Sequence, residues 1–211
     1  MNKYILGIAV LNEGEKLKAV LERFNDYSTY DVLIVDDGST DGSIEKIPQN
    51  KYIHIVRNGR NRGSGYCVRR SLSYARDKGY AVLIPVAGNN KDSPEDINKL
   101  VRAVEEGYDF VQGSRYMPGG HFGHMPLYRT LATRIVHPLL FSLITGRRIT
   151  DSTNGFRAIR LSILDDKEID LDQDWLDKYE LEPYLFYKAI RLGYKVKEVP
   201  VTKIYPPRKQ G

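Results

Sequence analysis

Cysteine is almost missing from these 211 residues, and Cys67 stands alone. A single thiol excludes a disulfide framework and any cysteine-based zinc cluster, and it fits a reducing compartment. Long apolar runs are missing too. The most apolar stretch, Ile135–Ile144, contains His137 and Pro138 and falls far short of the roughly 20 residues that a helical span needs. Met1–Val10, with one lysine and a short apolar run, reads as a strand rather than a secretory leader. Charge is only weakly one-sided. The 32 Lys and Arg against 27 Asp and Glu leave +5, which favours anionic ligands without demanding nucleic acid. At 41% hydrophobic and 28% charged, the chain can bury a core, so disorder is excluded. The expectation is one domain, cytoplasmic, with contact at the inner face of the cell membrane as the one alternative to free solution.

What is present is an alternation of short and long elements. Tyr4–Val10, Val32–Asp36, Ile53–Val56, Ala81–Val86 and Asp109–Val111 are brief, apolar and rich in Val and Ile, as strands are. Glu15–Asn25, Gly63–Lys78 and Pro94–Glu106 carry apolar residues at helical spacing. The last opens on Ser93-Pro94-Glu95-Asp96, a helix-start pattern. This order predicts an α/β fold with a mainly parallel sheet and helices on both faces, whose ligands bind at the carboxyl edge of the strands. Further on, Leu127–Thr145 and Tyr179–Leu192 read as helices and Tyr194–Val199 as a strand stopped at Pro200. The acid-rich Asp165–Asp177 reads as a solvated loop or helix face.

Three loops at successive strand ends carry chemistry. The first is Leu11-Asn12-Glu13-Gly14. The second, Asp36-Asp37-Gly38-Ser39-Thr40-Asp41-Gly42, sets two acids before turn residues, an arrangement that suits a ribose or the N–H edge of a base and equally suits an Asx-turn. The third, Arg60-Asn61-Arg62-Gly63-Ser64-Gly65, puts glycines and cations at a helix start, where phosphate can be met. Tight strand–helix turns use glycine as well. His121 and His124, three apart on a loop, read as solvated with metal binding or base chemistry as the sharper alternative. Cys67 reads as a small core hydrophobe.

These loops resemble the nucleotide-binding half of family 2 glycosyltransferases, which have the GT-A fold. The second half is similar to their dolichyl-phosphate mannose synthase-like branch. It shows Gly113-Ser114-Arg115-Tyr116 with Gly119-Gly120, Arg129 with Thr133-Arg134, Asp151-Ser152-Thr153-Asn154-Gly155-Phe156-Arg157 and Glu198-Val199-Pro200-Val201. The resemblance spans nearly the whole chain and implies a GT-A domain over 1–211. Its nucleotide-binding half runs to about 112 and its acceptor half from about 113, and the chain ends where the family pattern usually continues. It also implies transfer of a sugar, with inversion, from a UDP- or GDP-linked donor. By position, Glu13 and Asp37 hold the nucleoside beside Asp36, and Leu11, Asn12, Gly38, Asn61, Gly63, Ala87 and Gly88 complete that set. Arg115 lies near the diphosphate or the acceptor phosphate, and Arg129, Thr133, Arg134 and Arg208 bind phosphate.

One motif departs from the family. An Asp-x-Asp pair holding Mg²⁺ or Mn²⁺ on the donor diphosphate is replaced here by Ala87-Gly88-Asn89. Alanine cannot ligate and a neutral amide is a weak ligand for a hard cation, which leaves Asn89 and Asp92 as candidate ligands. Lys91 is the alternative, neutralising diphosphate without a metal. A phosphate acceptor needs cations to position it, and Arg115, Arg129, Arg134 and Arg208 favour a polyprenyl phosphate. A sugar hydroxyl would instead need a base, with Asp151 the first candidate and Asp92 the second. A nucleotide-sugar-binding protein without catalysis, motivated by Ala87 and Asn89, is the competing reading; a sugar nucleotidyltransferase is disfavoured because this chain has no glycine-rich phosphate loop near its N-terminus with a following Arg and Lys. Leu127–Thr145, followed by Arg147-Arg148, either covers the sheet or rests on an anionic bilayer.

Overall fold

A computed structural model describes residues 3–205, so Arg208 lies outside the described residues. The chain forms two compact units. One takes the residues up to Asn90 together with Ile159–Tyr184, and the other takes Lys91–Ala158 and the residues from Leu185 onward. The first break between these units falls after Asn90, and the first unit is completed by a return of the chain.

In the first unit, β1 (Tyr4–Val10) pairs in parallel with β2 (Tyr30–Asp36) on one side and with β4 (Val82–Ala87) on the other. On the far side of β2 lies β3 (Ile53–Arg57), also parallel. Every residue of β2 is buried, as expected of a parallel strand covered on both faces. Helix α1 (Glu15–Arg23) buries Leu17, Val20 and Leu21, and α2 (Ser64–Asp77) buries Cys67, Ser71, Leu72 and Ala75, each at helical spacing. Burial, with the charge of Asp37 nearby, pushes the Cys67 thiol up to about 12, so it packs as an inert core residue. The registers Val10↔Asp36 and Ala9↔Ala87 align the strand ends, bringing the loops after β1, β2 and β4 to one carboxyl edge.

The chain re-enters this unit through β7 (Arg157–Arg160), where Ile159 and Arg160 pair antiparallel with Leu83 and Val82. The acid-rich segment that follows is not a wholly solvated face. Leu176 is buried, and the Asp177 carboxylate bonds Arg69 and lies 4.0 Å from Arg62. Its backbone packs against the start of α2 so closely that a Cβ on Gly63 would collide with the Asp177 carbonyl and one on Gly65 with that of Leu176. The Gly-Ser-Gly stretch is therefore spent on close backbone approach within the protein, the use of glycine that the sequence set beside phosphate binding.

In the second unit, β5 (Phe110–Ser114) runs parallel to β8 (Val196–Pro200), and β6 (His121–Gly123) runs parallel to β9 (Thr202–Ile204). Strand β8 includes Pro200 at its last position instead of stopping before it. Helix α3 (Ile97–Glu105) is preceded by a 3-10 turn at Pro94–Asp96, inside the span expected for one helix. Leu127–Thr145 is helical but interrupted: α4 (Leu127–Leu131) and α5 (His137–Thr145) flank a π-helical turn, Ala132–Val136. Pro138 has no N–H to offer the carbonyl four residues back, and the Thr133 hydroxyl bonds the Arg129 carbonyl at 2.8 Å, so the regular ladder is broken there. Gly146 ends α5 in the left-handed conformation, φ 66°.

The close contact at Gly65 gives a stability prediction. Gly65→Ala must push apart the backbone of α2 and of residues 176–178, costing about 1–3 kcal/mol. Denaturant unfolding measures this, and a variant as stable as the parent would refute the packing described.

Candidate active site

At the carboxyl edge of the first unit the loops are laced to one another. The Asn12 backbone N–H donates to Ser39 Oγ at 3.0 Å, and Asn12 Oδ1 accepts from the Thr40 N–H at 2.8 Å. The Gly14 N–H donates to Asp41 Oδ2 at 2.9 Å. Asn12 adopts φ 53°, a left-handed conformation that asparagine tolerates better than most residues. Asp36, buried at the end of β2, accepts the Ser39 N–H at 2.8 Å.

Asp37 is more fully engaged. It accepts from Asn58 Nδ2 at 2.8 Å and from the Arg62 and Gly63 N–H groups at 2.9 Å each. Its two oxygens fold the 58–63 loop, including Asn61, against β2, three bonds that stand beside its expected part in holding the nucleoside. The Gly63 N–H, offered in the sequence reading to a phosphate, belongs to Asp37. Gly38, at φ 89°, lets that loop approach, since a Cβ there would lie 2.8 Å from Arg60 Cα. Half-buried Glu13, 3.3 Å from Lys16, and exposed Leu11 lie at the same edge. Gly88 passes under β1, where a Cβ would sit 2.7 Å from the Ala9 carbonyl, and Ala87 ends β4.

The second unit holds the cations. The Arg115 guanidinium makes a forked pair with Asp151, Nε to Oδ2 at 2.7 Å and Nη2 to Oδ1 at 2.9 Å, and its own backbone N–H adds a bond to Oδ2 at 3.1 Å. Both side chains are essentially out of solvent, at 2% and 0% exposure. Burial opposes the charge on Arg115, but hydrogen bonding and attraction from Asp151 outweigh it and hold the guanidinium above its ordinary range. Asp151 also accepts the Thr153 N–H and hydroxyl, at 3.1 and 3.2 Å. The carboxylate read as the first candidate base is thus bonded by five donors, three of them from Arg115.

Asp151 is delivered by Glu198, whose carboxylate accepts from the Thr150 and Asp151 N–H groups at 2.9 Å each and from the Thr150 hydroxyl at 2.9 Å. Burial raises the Glu198 pKa, partly offset by these donors. Around the pair stand aromatic rings. Arg115 Nη1 donates to the Tyr205 hydroxyl at 3.2 Å, while Arg129 lies 5.2 Å and Lys91 4.8 Å from the centre of the Tyr205 ring. Tyr116 stacks under Arg115 at 5.0 Å, and its hydroxyl bonds Thr133 Oγ1 at 2.6 Å. Arg115, Arg129 and Thr133, three of the expected phosphate residues, thus share one neighbourhood; Arg134 is exposed on the same helical segment.

Asp92 is also taken. It is buried, forms a β-bridge with Lys203, and receives the Lys203 ammonium at 2.6 Å. The residue read as a candidate metal ligand and second candidate base is thus paired with a cation. Ala87 offers no donor, and the Asn89 side-chain oxygen is a lone neutral amide, buried with no bonding partner among the described residues. A neutral oxygen and one already neutralised carboxylate do not fit a hard divalent cation. Among the described residues no group of three or more His, Cys, Asp or Glu could hold a metal, His121 and His124 included. Tyr205, Lys203 and Glu198 were missed as site residues. Only Glu198 had a signal, its place before Val199-Pro200-Val201.

The pattern of "Glycosyl transferase family 2" matches residues 6–168, and the chain belongs to that family. It is a glycosyltransferase with a GT-A-like fold. It is 30% identical to the polyprenol monophosphomannose synthase of Mycolicibacterium smegmatis over 92% of this chain and 75% of that one. It is also 30% identical to the undecaprenyl-phosphate mannosyltransferase of Micrococcus luteus, over 92% and 81%. Among solved structures, glucosyl-3-phosphoglycerate synthase from Mycobacterium tuberculosis, with Mn²⁺, UDP and glucosyl-3-phosphoglycerate bound, superposes at a TM-score of 0.69. That likeness, at 16% identity over 98% of this chain and 72% of the other, speaks to the fold.

The buried pair predicts a large stability effect. Asp151→Asn strands the Arg115 charge and costs about 3–5 kcal/mol in urea unfolding. A loss under about 1 kcal/mol, in the range of an ordinary point mutant, would contradict the bonding described.

Proposed function

We propose that the chain transfers a sugar from a UDP- or GDP-linked donor to the phosphate of a polyprenyl phosphate. One observation carries this reading. The two carboxylates that could serve as a base, Asp151 and Asp92, are each engaged by a cation, while Arg115, Arg129 and Lys91 gather around Tyr205. A hydroxyl acceptor needs a proton removed; a phosphate monoester is already ionised near neutral pH and needs only positive charge and orientation. The names of the two relatives agree with a lipid-phosphate acceptor.

In this reading the Glu13–Asp36–Gly38 edge holds the nucleoside, and Arg115, fixed by Asp151, anchors the Tyr205 hydroxyl beside Arg129 and Lys91. Arg129 and Thr133 orient the acceptor. A phosphate oxygen attacks the anomeric carbon as the bond to the diphosphate breaks, and the electron pair leaves with the diphosphate. One displacement gives inversion.

The helical segment α4–α5 supplies the surface. Leu127, Leu131, Ile135, Leu139, Leu140 and Leu143 are all exposed, with Leu127 at 88% and Leu143 at 70%. Of the two readings of this segment, a helix covering the sheet does not describe so much exposed apolar side chain. Exposed Arg134, Arg147 and Arg148 accompany it, so the face suits the surface of an anionic bilayer, where the lipid acceptor resides. Among the described residues no helix is long and apolar enough to cross a membrane.

Steady-state transfer to polyprenyl phosphate tests the acceptor site. Arg129→Gln should raise the KM for the lipid about tenfold or more, the scale of a lost charge-assisted bond, with the donor KM unchanged. An unaltered lipid KM would remove Arg129 from the acceptor site. For the surface, flotation with phosphatidylglycerol vesicles should carry the wild type and leave Leu139→Asp/Leu143→Asp in the dense fraction; equal flotation of both would place membrane contact elsewhere.

A further inference from the structure

Every one of residues 127–136, the stretch that carries Arg129 and Thr133, is exposed or half-buried. Directional contacts therefore weigh heavily in its placement, and two tyrosines supply them. Arg115 Nη1 reaches the Tyr205 hydroxyl, and the centre of the Tyr205 ring lies 5.2 Å from the Arg129 guanidinium. The second link runs through Tyr116. Its ring lies 5.0 Å from the Arg115 guanidinium and meets Phe122 edge-on, with centroids 5.2 Å apart and planes at 73°. Held on two sides, the ring aims its hydroxyl at Thr133 Oγ1, 2.6 Å away. A threonine hydroxyl has one proton, and that of Thr133 goes to the Arg129 carbonyl at 2.8 Å, a group that only accepts. Tyr116 is therefore the donor. Burial raises the phenol above its ordinary pKa, so it keeps that proton near neutral pH. The two bonds form a chain of fixed polarity, from the Tyr116 O–H to Thr133 Oγ1 and from the Thr133 O–H to the backbone of Arg129.

We propose that Tyr116 is a positioning residue for the acceptor: through Thr133 it sets the helical turn that presents Arg129 to the lipid phosphate. The inference rests on the acceptor reading above and deepens it. Tyr116 acts through Thr133 and Arg129 rather than on the phosphate itself. With its proton committed to the Arg129 carbonyl, Thr133 has no donor left for a phosphate oxygen, so it too works by holding the turn. The pin sits where the helix is least able to fix itself. The π-helical turn Ala132–Val136 begins one residue before Thr133, and Pro138 follows. The fixed geometry of the Arg115–Asp151 pair thus reaches Arg129 by two routes, Tyr116 to its backbone and Tyr205 to its guanidinium.

Steady-state transfer to polyprenyl phosphate by the intact chain, run as a double-mutant cycle at Tyr116 and Thr133, tests this. Tyr116→Phe and Thr133→Val keep ring and shape and remove one hydroxyl each. Each should raise the KM for the lipid phosphate about threefold to tenfold, with kcat and the donor KM within about twofold of the parent. The double variant should be no worse than Thr133→Val alone, because the Tyr116 hydroxyl then has no partner left to lose. Thr133→Ser keeps the hydroxyl and should recover most of the loss seen in Thr133→Val. Losses that multiply in the double variant would mean that the two hydroxyls act separately, and they overturn the inference. So does a Tyr116→Phe enzyme with the parent's lipid KM, a fall confined to kcat, or a donor KM that shifts as far as the lipid KM. Absence of transfer to polyprenyl phosphate by the parent overturns the acceptor reading itself.

Discussion

Everything proposed for the second unit depends on one buried ion pair. Arg115 and Asp151 are withdrawn from water together, and that is tolerable only because the fork geometry and the added donors satisfy nearly every polar atom. Glu198 at the end of β8 fixes the Thr150–Asp151 backbone, Asp151 fixes the guanidinium, and the guanidinium fixes the Tyr205 hydroxyl. The Tyr205 ring then meets Arg129 and Lys91. Pre-orientation of this kind lets a cationic cluster receive a phosphate without first reorganising. It also engages the Asp151 carboxylate with a cation, so the same contact favours one acceptor class over the other.

The first unit solves a different problem, that of bringing several loops to one sheet edge. Parallel registers align the strand ends, and Asp37 and Asn12 turn loose connections into a laced surface. Gly38, Gly63 and Gly65 act by what they lack: a Cβ at any of them would meet neighbouring backbone. In two of the three cases the neighbour is the returning segment at residues 176–178, which the acid-rich composition had made look solvated.

Much of the fold was legible. Tyr4–Val10 was read at its full extent, and β2, β4 and β5 were found because parallel strands buried on both faces are dense in Val and Ile, as the half-exposed β3 is as well. The short strands β6, β7 and β9 escaped because three or four residues leave no period to detect, and α4–α5 hid its π-turn because Pro138 interrupts hydrogen bonding without interrupting apolar spacing. In the site, motif order named Arg115, Arg129, Thr133 and Asp151, but their chemistry depended on partners. That Asp151 bonds Arg115 and that Asp92 bonds Lys203, 111 residues away, is long-range information no local pattern carries. The departure at Ala87-Gly88-Asn89 was visible in the sequence; the ammonium bonded to Asp92 was not.

The central claim is that the second unit recognises an ionised phosphate rather than activating an alcohol. The direct measurement is sugar transfer from a labelled nucleotide sugar to polyprenyl phosphate and, in parallel, to the unphosphorylated polyprenol of the same chain length, in one detergent. The account predicts product with the phosphate and none with the alcohol. Comparable rates on both acceptors would contradict it, since nothing in the Arg115–Asp151 arrangement is free to deprotonate a hydroxyl.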